Sequence, residues 1–109
     1  MIKNTTEKRG KVTIIYWRDI PAQVTARTGR KNAQKELTPR FMAAIDEAAM
    51  KSGAINTDAY LEGWRRDHTP GSGENLDLTV ENIAKNIEKG YTKDRLKKLI
   101  ENGGFAEKC

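Results

Sequence analysis

The chain has a single cysteine and a single histidine in 109 residues, and both scarcities remove whole classes of chemistry. With Cys109 alone, no intrachain disulfide can form and no multi-cysteine zinc or iron–sulfur site can be assembled. His68 lies among Asp67, Thr69 and Pro70 with no second histidine to share a metal and no nucleophilic serine elbow nearby. A general base needs an oriented partner, so an exposed loop histidine is the simpler reading. Long apolar runs are also missing. The longest, Ile14-Ile15-Tyr16-Trp17, falls far short of the roughly 20 residues a membrane span requires, and no membrane partner is expected. The loop Pro70–Asn75 is rich in glycine but fits neither phosphate-binding glycine pattern. Asp46 and Glu47 are adjacent, point to different sides of a helix, and so cannot act as a carboxylate pair. No catalytic residue, metal or cofactor is called for, and an enzyme acting alone is the weakest class.

What the chain does contain is unevenly placed charge. Residues 1–40 hold ten Lys/Arg against three Asp/Glu (+7), and residues 41–109 hold ten against twelve (−2), giving the net +5. The positive field therefore belongs to the N-terminal third and favours an acidic partner there. A 37% apolar and 32% charged composition suits one small globular domain. Residues 1–10 read as a flexible basic arm, 11–104 as the domain and 105–109 as a frayed tail. The first eleven residues lack the apolar stretch of a secretory signal, which makes the cytoplasm of a bacterium the default compartment.

Periodicity predicts the elements. Val12, Ile14 and Tyr16 alternate with Ile15 and Trp17, the pattern of a central strand apolar on both faces. Pro21 cannot donate to a ladder, so pairing should end near it, with a turn following. Residues 23–28 then read as a second, half-exposed antiparallel strand, interrupted by Gly29. Thr38 as cap, Pro39 and Gly53 frame a helix whose Phe41, Ile45, Ala48 and Ala49 share one face. Residues 57–66 fit both a helix and a strand, and the aromatic content favours a third strand. His68–Asn75 reads as a surface loop. Two further helices follow, one capped by Thr79 and stopped by Gly90, one capped by Thr92 and ended by Gly103-Gly104. The expected fold is α+β: about three antiparallel strands with two to three helices on one face, in the order β-β-α-β-α-α.

Two surfaces stand out. Arg27, Arg30, Lys31 and Lys35 form a basic series suited to an anion or nucleic acid, although it lacks interleaved aromatics for stacking on bases. Trp17, Arg18, Asp19, Tyr60 and Trp64 combine aromatics with charge on adjacent strands. That composition suits a protein interface, either with a different partner or in a homodimer.

The stretches IIYWRDIPAQV, RFMAAIDEAAM and TDAYLEGWRR resemble a family of small bacterial domains known as "virulence factor", over about Val12 to Gly104. Members occur as stand-alone proteins or attached to larger segments. Stand-alone members often lie near genes for folate- and corrinoid-dependent methyl transfer. The resemblance supplies no catalytic residues. It implies a non-enzymatic accessory or protein-interaction module, with a one-carbon enzyme as its partner. The alternative is a nucleic-acid-binding module built on the basic hairpin.

Overall fold

The computed structural model describes residues 10–70 and 75–106. Nearly all of the expected arm, the middle of the glycine-rich loop and residues 107–109 of the expected tail lie outside them. The described chain runs β1 (Lys11–Trp17), β2 (Ile20–Thr28), β3 (Lys31–Glu36), α1 (Pro39–Lys51), α2 (Asp58–Glu62), β4 (Trp64–Pro70), α3 (Leu76–Gly90) and α4 (Lys93–Glu101). The α+β class holds. The sheet, however, has four antiparallel strands in the order β3-β2-β1-β4, and the succession is β-β-β-α-α-β-α-α.

The pairings Val12↔Ala26, Ile14↔Val24 and Ala26↔Ala33 set one row of small and branched side chains on a common face. Helices α1 and α3 pack on this face, and α4 packs against α1. Phe41, Ile45, Val80, Leu96 and Leu99 complete the core. The alternate row is mostly polar, with Thr13 between Thr25 and His68, and carries one apolar residue, Ile15, between Gln23 and Arg66. The two edge strands carry Lys31, Lys35 and Glu36 on one side and Arg65, Arg66 and Asp67 on the other, charges that discourage edge-to-edge pairing.

Pro21 does not end the pairing. The turn comes before it, at Arg18-Asp19, and the ladder steps from Ile15↔Gln23 to Tyr16↔Pro21 through a bulge at Ala22. The missing proline donor is thereby absorbed. The Ala22 carbonyl accepts the Leu37 N–H at 3.1 Å, tying β3's exit to the bulge. Residues 57–66 use both predicted conformations in succession: α2, then Gly63, then β4. Strand β4 extends through His68 to Pro70, part of the stretch expected to be loop.

Helix starts follow their caps. Thr92 Oγ1 accepts from the Arg95 N–H at 3.1 Å, as its position predicts. Helix α3 begins earlier than Thr79, because Asn75 Oδ1 accepts the Leu78 N–H at 3.0 Å. At α1 the Thr38 side chain does not cap its own helix. Its N–H and hydroxyl instead donate to the Glu88 carboxylate at 2.7 and 2.9 Å, joining α1 to α3. Among the described residues, no helix is long and apolar enough to cross a membrane.

Candidate functional site

Trp17 organises one end of the molecule. Its ring is 0% exposed, and its indole N–H donates to the Tyr60 carbonyl at 2.8 Å. A β-carbon at Gly63 would lie 2.5 Å from the indole nitrogen, and one at Gly104 would lie 2.8 Å from the far edge of the ring. Two glycine backbones thus press on the indole where side chains would collide with it. Tyr60 packs beside it at 5.8 Å between ring centres, and Trp64 meets Tyr60 edge-on at 6.2 Å. The three aromatics predicted to form an interface do come together. Trp17 is nevertheless a core residue with no surface to offer a partner, and that corrects its expected role as an anchor.

The turn next to Trp17 is fixed from several sides. Arg18 has φ 56°, a left-handed conformation unusual for a residue with a β-carbon. Its N–H donates to the Gly63 carbonyl at 2.7 Å, and its guanidinium donates to the Gly103 carbonyl at 2.7 Å. The guanidinium carbon lies 4.5 Å from the Trp17 ring centre and 4.7 Å from that of Phe105. Asp19 receives Arg65 Nη2 at 3.1 Å and the Ala106 N–H at 2.6 Å. Arg65 Nε donates in addition to the Arg18 carbonyl at 2.7 Å. Phe105 and Ala106, expected to fray with the tail, are held in place here.

Four of the exposed large apolar side chains lie on the segments that meet at this turn. Met50 and Ile55 come from the end of α1 and the loop after it, Leu61 from α2, and Phe105 from beyond α4. Leu61 is 69% exposed and Phe105 is 51% exposed. A shallow hollow of about 310 Å³ lies beside Phe105, lined also by Arg18, Asp19, Ala59, Glu62 and Arg65.

The basic series does not form one surface. Register sets Arg27 opposite Asn32 on the polar face, while Lys31 and Lys35 oppose Thr28 and Val24 on the other face. Arg30 sits at the tip of the β2–β3 hairpin. All four side chains are exposed.

A second cleft, missed by reading the sequence, opens beyond the Asp19–Arg65 pair. It has a volume of about 410 Å³ and is lined by Tyr16, Tyr91, Arg95, Lys98 and Leu99 as well as by that pair. Arg65 lies 4.3 Å over the Tyr16 ring, and Arg95 lies 3.9 Å over the Tyr91 ring. Burial, then the neighbouring Tyr91 phenol and Asp67 carboxylate, push the Tyr16 hydroxyl above the usual tyrosine value against the pull of Arg65 and Arg95. Tyr16 therefore keeps its proton at neutral pH. The residues lining the cleft come from the β1–β2 turn region, from β4 and from the C-terminal segment, and only the fold brings them together. A longer groove of about 770 Å³ runs between α1 and α4 over Ala43, Ala44, Leu96 and Ile100, with a charged rim. Among the described residues, no group of three acidic, histidine or cysteine side chains could hold a metal ion.

No curated protein and no solved structure matches the chain. A protein-family model does match, over residues 15–100, from the last three residues of β1 through most of α4. The matched region includes Trp17, Arg18, Asp19, Gly63 and Arg65 of the turn-end assembly, while Gly103 to Ala106 lie beyond it. The chain belongs to the family described as Virulence factor.

Proposed function

We propose that the protein is a small, non-enzymatic accessory module of a bacterial cytoplasmic system. It docks on a partner protein through the end of the domain around the Arg18-Asp19 turn. One observation carries the reading: the exposed Ile55, Leu61 and Phe105 belong to segments that converge on a turn fixed by Arg18, Asp19 and Arg65. Exposed apolar side chains around a rigid, charged frame are the composition of a protein interface, and a rigid frame lowers the entropic cost of binding. In this reading Trp17 and Tyr60 support the surface from below. Leu61 and Phe105 make the contact, with Arg18, Asp19 and Trp64 around them. The partner class that the resemblance implies is a folate- or corrinoid-dependent methyl-transfer enzyme.

The test is co-purification of the tagged chain from its own host at about 150 mM salt after nuclease treatment. A stoichiometric protein retained by the natural chain and lost with Leu61→Glu is the expected result. A partner bound equally well by Leu61→Glu contradicts the assignment of the surface, and a second copy of the chain as sole partner replaces the accessory role with a homodimer.

A nucleic-acid role has its own observation, the exposed Arg27, Arg30 and Lys31 around the tip of one hairpin. It predicts affinity that falls steeply with salt and is lost with Arg30→Ala/Lys31→Ala. The division of these charges between the two faces makes it the second reading.

A further inference from the structure

The cleft beside Tyr16 has a different character from the docking surface. Its charges do not cancel. Asp19, the carboxylate lining it, is engaged by Arg65 and by the Ala106 N–H, and Asp67, the other carboxylate near Tyr16, lies 3.9 Å from Arg65. That leaves Arg95 and Lys98, three residues apart on α4, facing the cleft without an acidic partner among the described residues.

Arg95 is already positioned. Its Nη1 donates to the Gly90 carbonyl at 2.9 Å, and its plane rests on the Tyr91 ring. These contacts fix the guanidinium, while its Nε–H and Nη2–H donate to no described residue. That free side of the fork is the one that meets two oxygens of a carboxylate or phosphate side-on. The Tyr16 and Tyr91 hydroxyls likewise have no described partner, and each has an O–H to donate. Leu99 and the edges of the two phenol rings supply the apolar part of the wall.

We propose that this cleft binds a small-molecule oxyanion, a carboxylate or a phosphate. Arg95 binds it side-on, Lys98 supplies the second positive charge, and the Tyr16 and Tyr91 hydroxyls donate to it. Its volume of about 410 Å³ suits a metabolite-sized body behind the anionic group. Asp19 and Arg65 line both this cleft and the hollow at the docking surface, so the two lie on opposite sides of one ion pair.

The experiment is a titration of the full chain, followed by amide and Arg Nε–H chemical shifts, with inorganic phosphate in one arm and succinate in the other. The expected result is a saturable shift at Arg95 Nε–H, Tyr16, Leu99 and Ala106 in at least one arm. Arg95→Gln/Lys98→Gln should abolish it. Tyr16→Phe should weaken it about tenfold, the scale of one lost hydrogen bond to a charged group. Unchanged spectra elsewhere in each variant show that the fold is retained. Saturation in the phosphate arm alone or the succinate arm alone identifies the oxyanion. Three results overturn the proposal: no saturation in either arm, saturation that survives the double variant, and equal shifts at Arg30 and Lys31. The last would mean diffuse attraction to surface charge. None of these depends on whether a protein partner exists.

Discussion

Asp19 accepts the Ala106 backbone N–H at 2.6 Å, joining positions 87 residues apart in the chain. The same carboxylate holds Arg65 at the start of β4. One short side chain therefore ties the β1–β2 turn to a sheet edge and to the segment beyond α4. Asp19→Ala should speed hydrogen exchange at the Ala106 amide and release Phe105 from Arg18. It should cost only about 1 kcal/mol, because the pair is partly exposed and screened by solvent. Amide exchange and thermal unfolding read the two effects separately.

Trp17 predicts a much larger loss. Trp17→Ala removes a fully buried ring and leaves the Tyr60 carbonyl without its donor, so about 3–5 kcal/mol of stability should go. Gly63→Ala places a methyl against the same indole and should cost about 1–3 kcal/mol by overpacking. Denaturant midpoints test both values. Partner binding by Trp17→Ala would say nothing about the surface unless the variant is folded.

Arg18 sets two effects against each other. Arg18→Gly relieves the left-handed backbone, a gain of about 1 kcal/mol. It also removes a charged hydrogen bond to the Gly103 carbonyl, worth about 1.5–3 kcal/mol, and stacking on two aromatic rings. The losses win. The variant should be less stable than the natural chain, and a rise in stability would show that the Arg18 contacts contribute little.

Glu88 gives the fold an acid-sensitive joint. Burial pushes its carboxyl up, but donation from the Thr38 N–H and hydroxyl and from Arg40 outweighs this and holds it below the usual glutamate value. A carboxyl lowered on folding stabilises the protein above its unfolded value of about 4.3, and the contribution fades as pH falls through the folded value. Glu88→Gln should therefore flatten the loss of stability between about pH 5 and pH 3. Unfolding midpoints across that range, compared with the natural chain, measure the difference.

These positions also show how far the sequence could be read. Local signals were legible: the alternation of Val12 to Trp17, the Thr38-Pro39 start of α1, and the Thr92 cap of α4. Strand β3 escaped because an edge strand needs only one buried residue, and Ala33 in KNAQKE gives no periodicity. Residues 57–66 looked ambiguous because the chain uses both conformations, divided at a glycine whose position is set by Trp17 in another strand. The grouping of Trp17, Tyr60 and Trp64 could be inferred from composition. The burial of Trp17 could not, because Gly104, which presses on it, is remote in sequence. The Tyr16 cleft left no trace for the same reason: Arg95 and Lys98 read as the solvated side of a helix until β1 is placed next to them.

The central claim is that the turn end is the docking surface, and site-specific photo-crosslinking in the native host tests it most directly. A crosslinker would be placed at Leu61, and in a second strain at Leu78, another leucine more than half exposed, on α3, that belongs to none of the converging segments. One crosslinked protein partner is expected from Leu61, none from Leu78, and the Leu61 product should be lost when Phe105 is replaced by Glu. A partner captured from Leu78 alone, or equally from both positions, would contradict the claim.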